Sequence, residues 1–240
     1  MTPPEPPGGL KPWPPPPAGE EPLAITPDML APPTGQPGGS RADFESGISY
    51  LPGFTILLIV SNIAVFAWEL AADALASQEA ILHAGALHRG LVLQGEIWRL
   101  ASAMFLHGGI GHLVGNCLVL YIVGMALEHG AGTRRTMAVY FGSGLCGSIL
   151  SIVASSGPSV GASGAIFGLV GGVVAFLYRN QDRFYVRDKR IGLVLAMWAG
   201  YQIVTGFASP MVDNFAHLGG LLGGVVLTWG AKSFRQGSLA

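Results

Sequence analysis

Charged side chains are scarce in this sequence of 240 residues, because aspartate, glutamate, lysine and arginine together make up only 11% of it. A soluble domain carries roughly 25%. Half of the residues are hydrophobic, and a chain so apolar cannot hide its apolar surface inside one water-soluble core. The composition therefore predicts a membrane protein. A formal net charge of -1 also gives no reason to expect a nucleic-acid partner.

Cysteine is scarce as well, since Cys117 and Cys146 are the only two in the chain. Each falls inside an apolar run, where we expect a small packing thiol rather than a disulfide or a metal pair. Nothing else in the sequence calls for a cofactor, so we expect none.

Proline and glycine are concentrated in the first 46 residues, which include the run from Pro14 to Pro17. This segment has too little apolar content to fold alone, so we expect residues 1–46 to form a disordered cytoplasmic tail. A polyproline docking site for a partner is the alternative. Residues 1–40 lack the short apolar core of a signal peptide, so we expect no cleavable signal.

Six apolar runs follow, and each predicts a membrane-spanning helix. They cover about 53–72, 109–127, 137–154, 163–178, 191–207 and 215–230. We therefore expect an all-α polytopic membrane protein, with a six-helix domain over 47–232 and a short cytoplasmic C-terminal tail over 233–240. The long connection at about 73–105 mixes apolar and polar residues, which suits a structured segment at the membrane interface.

Basic residues are distributed unevenly between the connections. Only Arg89 and Arg99 lie in the first connection, whereas the other lysines and arginines precede span one, follow span six, or lie between spans two and three or four and five. These are Lys11, Arg41, Arg134, Arg135, Arg179, Arg183, Arg187, Lys189, Arg190, Lys232 and Arg235. By the positive-inside rule, this pattern predicts that both termini are cytoplasmic.

Five polar side chains stand out at or within the spans: His107, His112, Asn116, Ser163 and His217. Apolar helices normally avoid such groups, so they are candidates for function. His112 and Asn116 are four residues apart and share one helix face. The predicted topology puts all five toward the extracytoplasmic side, which is what a single site requires.

Each of these residues also has a purely structural interpretation. A serine in a transmembrane helix usually bonds to its own backbone, and an isolated histidine or asparagine can simply bond a neighbouring helix, contributing roughly 1 kcal/mol. Separate structural roles do not explain why the groups share one depth beside small residues. The stripes Ser163, Phe167, Gly171 and His217, Gly220, Gly224 would let spans four and six approach closely. Gly161 and Gly164 leave room for a sharp turn beside the serine.

A serine hydroxyl is a weak nucleophile, so an adjacent base must take its proton, and the imidazole of His217 fits that role. The reacting acyl group then needs donors aimed at its oxyanion. Asn116, His112 and the Ser163 backbone N–H are candidates. Asp213 lies four residues before His217, but we interpret it as a solvated loop residue near the outer surface, because one turn of spacing does not establish an orienting bond.

Three motifs in order resemble the rhomboid family of intramembrane serine proteases, over about residues 50–230. They are His107-x4-His112-x3-Asn116, Gly161-Ala162-Ser163-Gly164, and Ala216-His217 followed by Gly220 and Gly224. Unrelated hydrolases share GxSG alone, so the combination on successive spans carries the resemblance. Trp98-Arg99 also matches the first outer loop of the family.

The resemblance implies Ser163 as the nucleophile and His217 as the general base and acid. His112 and Asn116 would line the oxyanion pocket, with His107 supporting that region. It further implies a six-helix bundle with a partly membrane-embedded first outer loop. The substrates would be transmembrane helices of other proteins in the bilayer, cut near the extracytoplasmic interface. The expected location is a bacterial inner membrane. The sequence leaves the oligomeric state open.

Two positions depart from the family pattern. Phe167 stands where bacterial relatives often have tyrosine, so its ring can still stack on His217 but hydroxyl contacts are lost. After span two, Glu128-His129-Gly130 keeps the acid of an acidic-x-Arg pattern without the arginine, which affects local loop contacts and leaves the serine and histidine untouched.

Three other functions compete with a protease. A catalytically silent rhomboid-like protein that binds clients would be expected to lack the serine or the histidine, and both are present. A transporter could use buried polar groups along a permeation path, but the six spans show no inverted repeat. A metal site made from His107, His112 and His217 lacks the acidic or thiolate ligands that commonly complete such sets.

Overall fold

A computed structural model of the protein describes residues 51–155, 157–181, 186–209 and 212–230. The predicted tails, 1–46 and 233–240, lie outside the described residues. The described residues form six long helices and three short ones. The long helices are α1 (Gly53–Ala71), α5 (Ile110–Ala131), α6 (Thr133–Ala154), α7 (Ser163–Arg179), α8 (Val186–Gly206) and α9 (Asn214–Gly230).

These six helices confirm the six predicted helical segments. The largest difference is at the start of α8, which begins at Val186 rather than at 191. Among the described residues, α1, α5 and α6 are each long and apolar enough to cross a membrane on their own. Helices α7 and α9 have 17 residues each, so each is about 26 Å long. That is less than the roughly 30 Å of a bilayer's hydrocarbon core.

Helix α7 is the central element, and nearly every residue from Gly164 to Leu177 is buried. Helices α5, α6, α8 and α9 all pack against it, α9 most extensively. Because its neighbours cover it on all these sides, α7 does not need the polar face that an exposed helix of a soluble protein would carry. Its first residue, Ser163, therefore lies at one end of a helix that is surrounded by other helices of the bundle.

A glycine seam brings α7 and α9 into backbone contact. A Cβ atom at Gly220 would overlap the carbonyl oxygen of Gly164, and one at Gly224 would overlap that of Gly168. Only glycine at these positions allows the two backbones to lie so close.

The predicted seam on α7 was wrong by one residue for two of its three members. The seam expected from the sequence runs through Ser163, Phe167 and Gly171, whereas the contacts run through Gly164, Gly168 and Gly171. Ser163 and Phe167 border the seam instead, because a side chain inside it would hold the backbones apart. This rotation leaves both side chains free to face His217.

The predicted structured segment between α1 and α5 contains three short helices, α2 (Gln78–Ala84), α3 (Arg89–Leu93) and α4 (Arg99–Ser102). Arg99 ties them together, and its side chain is almost fully buried. Its guanidinium donates to the carbonyl oxygens of Leu82 and Ala86 and pairs with the Glu96 carboxylate. The same group lies 4.6 Å from the ring centroid of Trp98.

This outer segment is bonded directly to the turn that precedes α7. Leu87 and Ser159 exchange both backbone hydrogen bonds, each at 2.9 Å, as an isolated antiparallel bridge. The Gly161 N–H also donates to the Ala103 carbonyl oxygen at 2.9 Å. The backbone ahead of Ser163 is therefore held from outside the bundle.

Glu128, the acid of the incomplete acidic-x-Arg pattern, lies near the C-terminal end of α5 and anchors α1 there. Its carboxylate accepts the N–H groups of Phe54 and Thr55 at 3.0 and 2.9 Å, and the hydroxyl groups of Thr55 and Thr133. The first N–H groups of a helix have no partner inside the helix, so Glu128 caps α1 from another helix.

Candidate active site

Ser163 is the first residue of α7, after a turn that only glycine permits. Gly161 has a φ of +127°, and a Cβ atom there would lie 2.6 Å from Cε1 of His112. The N–H groups of the first turn of a helix have no partner inside the helix and carry partial positive charge. The turn therefore presents the Ser163 hydroxyl beside backbone donors.

His217 lies in the first turn of α9 and meets Ser163 across the glycine seam. Its Nε2 is 2.9 Å from the Ser163 Oγ, and both residues are half-buried. For Nε2 to accept the hydroxyl proton, the neutral ring must carry its own proton on Nδ1. Within the described part of the chain, that buried Nδ1 has no hydrogen-bond partner.

Phe167 packs flat against the His217 ring, with centroids 4.2 Å apart and planes 8° from parallel. On its other face it stacks on Trp198 of α8, with centroids 5.6 Å apart. The stack that was expected despite the tyrosine-to-phenylalanine difference is present. It restricts the plane of the imidazole ring, whose Nε2 contacts the Ser163 Oγ.

His112 and Asn116 border the turn that leads into Ser163. A Cβ atom at Gly161 would be 2.8 Å from the His112 Nε2 and 3.4 Å from the Asn116 Nδ2. Asn116 is buried, and its Nδ2 has no partner among the described residues, whereas His112 is exposed. The side chains of His112 and Asn116 thus lie beside the turn, two residues before Ser163.

His107 is fully buried behind His112, and the two rings meet edge to face with centroids 5.3 Å apart. Its Nδ1 bonds the Phe105 carbonyl oxygen at 3.1 Å. Burial lowers the pKa of His107 to about 4, the neighbouring His112 acts in the same direction, and the bond to Phe105 opposes the shift. His107 is therefore neutral near pH 7, and its contact with His112 is one of packing.

Glu69, near the end of α1, was missed from the sequence. It is fully buried, and both carboxylate oxygens accept the His107 backbone N–H, at 3.0 and 3.1 Å. A signal was available, because Glu69 is the only charged residue in the first apolar run. An ionisable residue at that depth is rare enough to be a candidate on its own.

The interpretation of Asp213 as a solvated loop residue was wrong. Asp213 is half-buried, and its carboxylate accepts the hydroxyl groups of Ser151 on α6 and of Ser155 just after it, and the Ala216 N–H at 3.1 Å. It caps the N-terminus of α9, a position where aspartate is preferred. That preference was readable from its place just before an apolar run.

No group of three or more histidine, cysteine, aspartate or glutamate side chains in the described ranges could hold a metal ion. What the described residues do form is a polytopic helical membrane bundle with a hydrogen-bonded serine and histidine at one end. The chain belongs to the rhomboid family, because the rhomboid domain matches residues 94–234.

Curated relatives agree with this assignment. The chain is 38% identical over 183 residues to rhomboid protease GluP of Bacillus subtilis (strain 168), covering 76% of this chain and 35% of that protein. It is 43% identical over 146 residues to RHOMBOID-like protein 5 of Arabidopsis thaliana, covering 60% and 47%. The inactive RHOMBOID-like protein 8 of the same plant is 31% identical over 148 residues, covering 61% and 42%. The chain thus spans between a third and a half of the length of these relatives.

Proposed function

We propose that this protein is an intramembrane serine endopeptidase that cleaves transmembrane helices through an acyl-enzyme formed on Ser163, with His217 as general base and acid. The observation that carries the proposal is the 2.9 Å contact between the Ser163 Oγ and the His217 Nε2. Family membership alone is not sufficient, since one relative is named as inactive. A client-binding protein without activity has no need of this contact.

In the first half of the reaction, His217 Nε2 takes the hydroxyl proton while Oγ attacks the carbonyl carbon of the scissile peptide bond. The tetrahedral intermediate collapses, the C–N bond breaks, and the His217 imidazolium gives its proton to the leaving amine. The product is an ester between Ser163 and the N-terminal part of the substrate.

In the second half, a water molecule attacks the ester carbonyl carbon while His217 takes one of its protons. Collapse of this intermediate breaks the bond to Oγ, and the imidazolium returns the proton to the serine. In both halves negative charge develops on the carbonyl oxygen. Asn116 Nδ2, His112 and the Ser163 backbone N–H are the donors we assign to it, and one such donor can contribute roughly 10²–10³ in rate.

The proposed site of cleavage is near the extracytoplasmic interface. Arg179, at the far end of α7, donates to the carbonyl oxygens of Thr228 and Trp229 at the end of α9, so this basic residue and the serine lie at opposite ends of α7. The positive-inside rule then assigns the serine to the outer side and both termini to the cytoplasm. We propose a bacterial inner membrane as the location, with domain limits at 47 and 232.

Labelling with a serine-directed fluorophosphonate, followed by cleavage of a model transmembrane substrate in proteoliposomes, tests the proposal. We expect Ser163 to be modified in the parent protein, and neither labelling nor cleavage in Ser163→Ala or His217→Ala. The matched control is Ser61→Ala, because the Ser61 hydroxyl only bonds the Leu57 carbonyl oxygen of its own helix. Cleavage that survives in purified Ser163→Ala would sink the assignment, and binding of substrate without any cleavage by the parent would favour the silent alternative.

A further inference from the structure

The start of α9 packs closely against α6, where a Cβ atom at Gly147 would lie 2.6 Å from the Ala216 carbonyl oxygen, and one side chain adds hydrogen bonds to this contact. The Asp213 carboxylate accepts hydrogen bonds from Ser151 in the last turn of α6 and from Ser155, the residue directly after α6. The same carboxylate accepts the Ala216 N–H at 3.1 Å, and the Asp213 carbonyl oxygen accepts the His217 N–H at 3.2 Å. The first turn of α9 thus connects directly to α6.

The glycine seam cannot fix this turn alone. Contacts between glycine backbones set how closely α7 and α9 approach, but they are not directional and allow one helix to rotate or slide against the other. Hydrogen bonds from two hydroxyl groups to one carboxylate are directional. They therefore fix the rotation and height of α9 at the residue that begins its first turn.

His217 depends on that registration more than a histidine in a triad would. No hydrogen bond to a described residue holds its Nδ1, so the position of Nε2 follows from the backbone of α9 and the stack on Phe167. A shift of the first turn of α9 would move Nε2 relative to Oγ directly. Misplacement by about 1 Å can cost roughly 10²-fold in rate.

We propose that Asp213 is a positioning residue, which holds His217 at hydrogen-bond distance from Ser163 by fixing the first turn of α9 against Ser151 and Ser155. It does not contact the reacting atoms and is not a third catalytic residue. The inference rests on the proposed function, because it concerns the same serine and histidine.

Glu128 supplies a matched control. Like Asp213, it is a carboxylate that accepts N–H groups at the start of a helix and hydroxyl groups from neighbouring side chains. It acts on α1, at the end of α5 remote from Asn116. Glu128→Ala therefore removes the same kind of cap without touching the registration of α9.

The experiment measures kcat and KM separately for a transmembrane substrate in proteoliposomes, with the rate of fluorophosphonate labelling per folded molecule. We expect Asp213→Ala to lower kcat and the labelling rate about 10- to 100-fold with KM changed less than about twofold. Asp213→Asn keeps a carbonyl acceptor and a favourable cap, so it is expected to restore kcat to within about fivefold of the parent.

Two further variants keep the test decisive if Asp213→Ala does not fold. Ser151→Ala with Ser155→Ala removes the two hydroxyl partners of Asp213 and is expected to slow kcat in the same way. Adding Asp213→Asn to that pair is expected to change kcat little further, because the bonds act as one unit.

The outcomes separate this inference from the proposed function. A parent protein that neither labels nor cleaves overturns both. If the parent is active and loss of Asp213 slows kcat per folded molecule no more than Glu128→Ala does, the positioning role alone is overturned. The positioning role is also overturned if Asp213→Asn is as slow as Asp213→Ala, or if the double serine variant retains full kcat.

Discussion

The two ends of helix α5 use buried polar side chains in opposite ways. At its C-terminal end, Glu128 is fully engaged by α1 and by Thr133. Near its N-terminal end, Asn116 is buried with an Nδ2 that no described residue engages. The cost of burying a polar group without a partner is about 1–3 kcal/mol. The contrast indicates that one end of the helix stabilises the fold, while the other retains a donor that the fold itself does not use.

The largest expected effect comes from removing the donor near the N-terminal end of α5. We expect Asn116→Ala to lower kcat about 10²–10³-fold, because the proposed oxyanion loses one donor. The thermal midpoint is expected to stay near that of the parent, since Nδ2 contributes no bond to the fold. Steady-state cleavage and a thermal unfolding scan check the two expectations.

Asn116→Asp is the matched variant, because it keeps the shape of the side chain and replaces the donor with an acceptor. It is expected to be as slow as Asn116→Ala. A kcat close to that of the parent in either variant would contradict the role of Asn116.

At the other end of α5, the expected loss is one of stability. Glu128→Ala leaves the N–H groups of Phe54 and Thr55 without their acceptor, so we expect the free energy of unfolding to fall by about 1–3 kcal/mol. The kcat per folded molecule is expected to remain within about threefold of the parent, because α1 does not carry the serine or the histidine. Reversible unfolding in detergent, with cleavage normalised to folded protein, measures both.

The smallest expected effects concern Phe167. An aromatic stack contributes about 0.5–1.5 kcal/mol, so Phe167→Leu is expected to lower kcat about 3- to 10-fold by loosening the His217 ring. Phe167→Tyr keeps the stack and is expected to change kcat less than about threefold. A large gain in kcat from Phe167→Tyr would mean that the tyrosine hydroxyl contributes to catalysis beyond the stacking of the ring.

The sequence was sufficient to predict the helices, because long apolar runs interrupted by arginine and glycine leave few alternatives in a membrane. The largest error, the start of α8, arose because the helix already includes the charged stretch Arg187-Asp188-Lys189-Arg190, which precedes the apolar run. Two members of the seam on α7 were misassigned by one residue, because the stripe that begins at Ser163 and the stripe that begins at Gly164 both contain small side chains. Only the contact with Gly220 distinguishes them.

The candidate site shows a different limit. Ser163 and His217 could be selected because each stands in a short motif with local meaning. Asp213 could not be assigned its contacts, because Ser151 and Ser155 lie about sixty residues earlier in the chain and look like ordinary serines at the end of an apolar run. Their value appears only when α6 and α9 are packed side by side.

The bridge between Leu87 and Ser159 affects how the protein unfolds locally. Its two hydrogen bonds, with that from Gly161 to Ala103, tie the outer segment and the turn before Ser163 into one unit for local opening. Amide hydrogens of Leu87, Ser159 and Gly161 would then exchange with solvent together, ahead of those in the interior of α7. Mild heating would then abolish the reactivity of Ser163 while the helices of the bundle remain folded.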